Sequence, residues 1–130
     1  MASPAPRKLH VLIADDQPLN LRLAVQVLRT LGHGGVAVKD GEQALNAWRQ
    51  QTFDLLLLDV RMPQLDGLST LRHIRAEERA TGRHLPIVMV TGDDLPEAAQ
   101  TYHSEGADAV LIKPLEAKQL ETILRQIGLV

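Results

Sequence analysis

Five polar residues carry the chemical potential of this 130-residue chain: Asp15, Asp16, Asp59, Thr91 and Lys113. Each follows a short aliphatic run: LHVLIA precedes Asp15-Asp16, LLLL precedes Asp59, PIVMV precedes Thr91, and AVLI precedes Lys113. Three carboxylates held within a few ångströms repel and raise one another's pKa unless a cation joins them. An all-oxygen cluster without His or Cys suits a hard ion such as Mg²⁺. A carboxylate beside such an ion can attack phosphorus. An ammonium group would neutralise the phosphoryl oxygens, and a hydroxyl would hydrogen-bond one of them. The natural product is an aspartyl phosphate. Taken singly, every one of these residues has an ordinary reading. An Asp pair after a strand caps a helix, Asp59 or Thr91-Gly92 makes a turn, and Lys113 is a solvated charge.

Whether the five meet depends on the elements that carry them. Residues 18–31 have helical spacing, with Leu21, Val25, Leu28 and Leu31 recurring at three and four, Pro18 in the first turn and Gly32 at the end. Further helices are predicted over 41–51, from Leu68 to near Gly82, over 97–105, and over 115–127. Between them lie strand runs at 9–14, 36–38, 54–58, 86–90 and 109–112. The continuous aliphatic run before Asp59 is that of a strand buried on both faces. Five strand–helix units imply a parallel sheet with helices on both sides, a doubly wound α/β domain. In such sheets ligand sites lie beyond the carboxyl ends of the strands. The three carboxylates, the hydroxyl and the ammonium are therefore expected in one cleft.

Composition narrows the alternatives. Trp48, Phe53 and Tyr102 are the only aromatics, against 22 leucines. Aliphatics must fill the core, and no aromatic platform exists for stacking bases. The formal net charge of −2 gives no basic field for a phosphate backbone, so direct nucleic-acid binding is not expected. The absence of cysteine excludes disulfides, thiolate metal sites and Cys nucleophiles. No apolar run is long enough to span a bilayer, and the opening MASPAPRK has no apolar core of a secretory signal. A cytoplasmic setting without membrane contact is the expectation. Residues 1–8, rich in Ala and Pro, read as a disordered lead or linker. The five histidines (His10, His33, His73, His84 and His103) are scattered without metal-site spacing. Arg72, Arg75, Glu77, Glu78 and Arg79 read as a solvated helix end of mixed sign.

The combination of Asp15-Asp16, Asp59 within LLLLDVRMPQLDG, Thr91-Gly92 and Lys113-Pro114 resembles the receiver domains of two-component response regulators. The likeness runs from Leu9 to about Gly128, and DDQPLNLRL followed by LGH looks most like receivers of hybrid histidine kinases. The resemblance implies a (βα)5 flavodoxin-like three-layer sandwich, sheet order 2-1-3-4-5, filling 9–128 with no second domain. It implies Asp59 as phosphoacceptor, with Thr91 and Lys113 on the phosphoryl group. Mg²⁺, or Mn²⁺ in its place, would be held directly by Asp16, Asp59 and the Arg61 backbone carbonyl, and largely through water by Asp15. Lys113-Pro114 is often a cis peptide in this family, and Met62-Pro63 and Asp66-Gly67 would shape the loop after the third strand. The implied partner is a histidine kinase or histidine phosphotransfer domain. It would meet the first helix and the loops around the site. The chain itself would be a monomer or weak dimer and a switch with weak self-phosphatase chemistry, not a metabolic enzyme. The family's usual output surface is the fourth helix, fifth strand and fifth helix.

Two departures from the family pattern matter. Many receivers place Tyr or Phe three residues before the Lys; here that switch position is Val110. Arg61 and Asp93 occupy the two positions that tune acyl-phosphate lifetime, and their opposite charges suggest an ion pair across the site mouth. Three other readings compete. A haloacid-dehalogenase-like phosphatase wants a second Asp where Arg61 stands. A flavodoxin-like cofactor binder needs a phosphate-cradling loop where the acidic DDQPLN stands. A pseudo-receiver scaffold usually lacks one acidic or Lys position, and none is lacking.

Overall fold

The computed structural model describes residues 8–130, so the expected lead at 1–8 lies outside the described residues except for exposed Lys8. Five strand–helix units follow in order: β1 (His10–Ala14), α1 (Pro18–Thr30), β2 (Gly34–Val38), α2 (Gly41–Gln50), β3 (Leu55–Asp59), α3 (Gly67–Glu78), β4 (Ile87–Thr91), α4 (Pro96–Ser104), β5 (Ala109–Ile112) and α5 (Ala117–Gln126). All strand pairs are parallel and the sheet order is β2-β1-β3-β4-β5. The doubly wound architecture and its strand order are as expected.

The alternation of strand side chains splits the aliphatic runs between two cores. Leu55 and Leu57 join Val11, Ile13, Val88, Val90 and Leu111 under α1 and α5. Leu56 and Leu58 join Leu12, Ile87 and Met89 under α2, α3 and α4. The four-leucine run therefore serves both faces, and its next residue, Asp59, falls at the carboxyl edge of the central strand, where the hydrophobic layers end.

Boundaries moved where backbone pairing overrides side-chain pattern. β2 begins at Gly34 rather than at residue 36, because Gly34 and Gly35 pair in register with His10 and Val11. α5 begins at Ala117, since Leu115 packs on the core ahead of the helix and Glu116 is its N-cap. His33 takes a structural role: it is buried, and its Nδ1 accepts the Leu9 backbone N–H at 3.1 Å. Burial lowers its pKa.

The end of α3 corrects the solvated-surface reading. Arg75 donates through Nε to the Gly106 carbonyl at 2.9 Å, through Nη1 to Glu78 at 2.6 Å and the Leu85 carbonyl at 2.9 Å, and through Nη2 to Asp108 at 2.9 Å. Glu78 is buried and also accepts the Leu85 N–H, while Asp108 accepts the Ile87 N–H at 2.8 Å. One guanidinium thus ties α3 to the entry of β4 and the exit of α4, at the pole of the sheet opposite Asp59. Periodicity did not show it because Asp108 and the two carbonyls come from distant segments. Arg75→Ala leaves buried Glu78 without its cation and is expected to cost about 3 kcal/mol in urea unfolding. Arg75→Lys, lacking the planar fork, should recover only part. A loss below roughly 0.5 kcal/mol would return this cluster to the solvated-surface reading.

Candidate functional site

The carboxyl edge of the sheet brings together the residues the sequence singled out. Asp15 and Asp16 follow β1, Asp59 and Thr91 end β3 and β4, and Lys113 follows β5. Neighbouring backbones fix these ends in register: Val60 N–H donates to the Val90 carbonyl at 3.1 Å, and Lys113 N–H donates to the Thr91 carbonyl at 2.7 Å. The Lys113–Pro114 peptide is cis.

Asp15, Asp16 and Asp59 each present a carboxylate oxygen, all within 4.8 Å of one another. Lys113 Nζ lies 3.0 Å from Asp59 and 3.4 Å from Asp15. The two flanking acids differ in what already occupies them. Asp15 is buried, with one oxygen accepting the Gln17 N–H at 2.9 Å and the other facing Lys113. Asp16 is half-buried and accepts no hydrogen bond from the described residues. Burial raises the Asp59 pKa; the Lys113 hydrogen bond opposes this, and the charges of Asp15 and Asp16 reinforce it. Burial pulls Lys113 down, but Asp59 and Asp15 outweigh it and hold the ammonium above its usual value.

One cation thus faces three acids, and the cluster keeps an excess of negative charge at its mouth. That is the electrostatic condition of a divalent-cation site, and the donor set, oxygen only, fits Mg²⁺. Asp16, Asp59, Arg61, Thr91, Asp93 and Lys113 line one open cleft of about 540 Å³. A second, mostly apolar cleft of about 360 Å³ runs from Asp59 and Lys113 toward Leu23, Ala24, Pro114 and Leu115. The sequence reading did not foresee this second cleft, because it forms only where α1 meets the segment after β5.

The ion pair expected between Arg61 and Asp93 is absent. Asp93 is committed to its own loop: its N–H donates to Thr91 Oγ1 at 3.0 Å and its carboxylate accepts the Leu95 N–H at 3.1 Å. Arg61 is exposed at the rim. Val110 packs against the core cluster that contains Met89, Tyr102 and Ala107, so an aliphatic fills the position where the aromatic switch was sought.

A parallel sheet in this order, with an acidic cluster and one lysine at its carboxyl edge, defines a phosphoacceptor signalling module. The chain belongs to the response regulator receiver domain family, whose model matches residues 11–125. It is 39% identical over 131 aligned positions to the sensor protein GacS of Pseudomonas syringae pv. syringae, covering 99% of this chain and 14% of that one. It is 34% identical over 118 positions to the sensory/regulatory protein RpfC of Xanthomonas campestris pv. campestris (strain 8004), covering 90% and 16%. The chain therefore spans about one-sixth of the length of these curated relatives. Among solved structures it is similar to the receiver domain of sensor histidine kinase PA1611 from Pseudomonas aeruginosa PAO1, at 34% identity and a TM-score of 0.81. That alignment covers 94% of this chain and 99% of the other, and the PA1611 structure has a magnesium ion coordinated in its active-site cleft. Receiver domains are phosphoacceptor switches rather than classical enzymes, and the likeness to receivers of hybrid histidine kinases holds.

The raised Asp59 pKa has a thermodynamic consequence. A carboxyl whose folded pKa exceeds its unfolded value binds protons more tightly when folded. Stability is then lost as pH rises from the unfolded toward the folded value, and the penalty persists at neutral pH. Asp59→Asn is expected to stabilise the metal-free fold at pH 7. Mg²⁺ should raise the melting temperature of the parent and much less that of the variant. Thermal melts with and without Mg²⁺ check both; an Asp59→Asn protein less stable than its parent contradicts this account.

Proposed function

We propose that this domain accepts a phosphoryl group on Asp59 from a partner phosphohistidine. The observation that carries the reading is Asp59 itself: a buried carboxylate at a strand end, 3.0 Å from Lys113 and beside two further acids. Asp16, Asp59 and the Arg61 carbonyl would hold Mg²⁺ directly and Asp15 through water, in keeping with the oxygens of Asp15 being already engaged. When bound, the ion supplies positive charge against the phosphoryl oxygens. An Asp59 carboxylate oxygen attacks phosphorus, the P–O bond forms as the P–N bond breaks, and the electron pair returns to the imidazole nitrogen. Lys113 balances charge on the transferring group, and the Thr91 hydroxyl donates to one of its oxygens. Hydrolysis of the acyl phosphate resets the switch.

The partner is a histidine kinase or histidine phosphotransfer domain, and its approach is marked by apolar exposure. Leu19 is 76% and Leu23 40% exposed on α1, next to the apolar cleft that opens on Asp59. A phosphohistidine must reach that carboxylate, so the surface around the cleft is where its carrier rests. Among the described residues no helix is long and apolar enough to cross a membrane. A cytoplasmic, monomeric or weakly dimeric domain without nucleic-acid contact of its own completes the reading. The scaffold-only and phosphatase readings gain no support, since every acidic and Lys position is filled and Arg61 replaces the second Asp a phosphatase needs.

Amide NMR with Mg²⁺ and either acetyl phosphate or beryllofluoride tests the assignment. Shifts are expected at Asp59, Thr91 and Lys113 and should vanish in Asp59→Asn; a parent spectrum unmoved by either reagent overturns it. Arg61 and Asp93 act separately on phosphoryl lifetime, in the absence of an ion pair. Arg61→Ala and Asp93→Ala should each change the dephosphorylation rate severalfold, and the double variant should combine the two factors, as for independent sites. Unchanged rates in both single variants remove the tuning role.

A further inference from the structure

The loop that follows Asp59 is held in place by the start of a different helix. Val60 is bonded at both ends, its N–H to the Val90 carbonyl at 3.1 Å and its carbonyl from the Gly67 N–H at 3.0 Å. Met62 is buried in the core under α2 and α3. The far side of the loop depends on Gly41, the first residue of α2. Its N–H donates to the Leu65 carbonyl at 3.2 Å. A Cβ on Gly41 would overlap the Leu65 carbonyl oxygen and lie 2.9 Å from Leu65 Cβ, close enough that something must shift. It would collide most closely of all with the Thr70 hydroxyl. Thr70 is fully buried and donates to the Asp66 carbonyl at 2.7 Å, so it cannot swing aside freely.

From this close approach we infer that Gly41 is a positioning residue for Mg²⁺ binding, acting through the loop 60–66. This rests on the phosphoacceptor reading above, in which the Arg61 carbonyl is a metal ligand. Gly41 has ordinary helical surroundings in sequence and sits outside the cleft, so its role is visible only in the packing. To admit a methyl group, the start of α2 and the Leu65 backbone must move apart. The turn between Leu65 and Arg61 is stiff: Pro63 has a fixed φ, and Gln64 already sits at a φ of +67°. Displacement is therefore passed toward Arg61 rather than absorbed. No side chain of α2 needs to touch the ion for this to operate.

The test is Mg²⁺ titration of the whole chain followed by amide shifts at Asp59–Met62, comparing the parent with Gly41→Ala. Gly34→Ala serves as a control, since a Cβ there meets only the Lys8 side chain at 3.7 Å. The metal-free Gly41→Ala spectrum should remain dispersed, with changes confined to residues near 40–42 and 60–70. Its Mg²⁺ dissociation constant should rise fivefold or more, while phosphoryl uptake from acetyl phosphate recovers at saturating Mg²⁺. The Gly34→Ala constant should match the parent. Should Gly41→Ala not fold, Thr70→Val, which keeps the shape and removes the bond to Asp66, is expected to weaken Mg²⁺ by a smaller factor. A Mg²⁺ affinity within twofold of the parent, in Gly41→Ala or, in its place, Thr70→Val, overturns the positioning role alone. A parent that binds no Mg²⁺ overturns the phosphoacceptor reading with it.

Discussion

One ammonium facing three carboxylates is the constraint around which this domain is arranged. Lys113 can sit 3.0 Å from Asp59 and 3.4 Å from Asp15, but it cannot neutralise three acids. The residual negative charge, in a setting where burial already disfavours the Asp59 carboxylate, makes the metal-free cluster an energetically expensive arrangement. The two hydrophobic layers stop one residue short of the acids, so the charged groups occupy the edge where water and a cation can reach them.

The scaffold accomplishes this with little sequence. A run of four leucines, read by the pleat, supplies both cores, and the next step along the strand delivers Asp59 to the edge. Backbone bonds from Val60 to Val90 and from Lys113 to Thr91 then lock the Asp59 carboxylate, the Thr91 hydroxyl and the Lys113 ammonium to one another through the sheet register. The site is precise because its members belong to adjacent strands; each loop sets only the last step of its residue's placement. The loop 60–66 is the exception, since its geometry depends on α2 and α3 as well.

Local pattern foretold what is local. Alternating aliphatic runs and helical spacing gave five units, and a topological rule placed five polar residues in one cleft. Pattern failed where contacts join segments far apart in sequence. Arg75 looked like one charge in a mixed-sign helix end, yet its partners include Gly106 and Asp108, more than thirty residues on. His33 looked incidental, yet it holds the N–H of Leu9. The Arg61–Asp93 pair was plausible by charge and position, but a backbone N–H two residues downstream is a nearer and geometrically fixed partner for Asp93 than a side chain across the cleft.

These same contacts bear on how the site is read without an aromatic at position 110. The two ends of α4 are held unequally. Its exit is fixed by Arg75 on the Gly106 carbonyl, in a network that also binds Glu78 and Asp108. Its entry has no side-chain cap at Leu95, and is joined to the site by a short chain of bonds, Leu95 N–H to Asp93 and Asp93 N–H to the Thr91 hydroxyl. A displacement of Thr91 is therefore felt at the first turn of α4, where Leu95 is 60% exposed, before it is felt at the last. An aliphatic at position 110 leaves those bonds intact, because they join two backbone N–H groups, the Asp93 carboxylate and one hydroxyl rather than the rotamer of a ring.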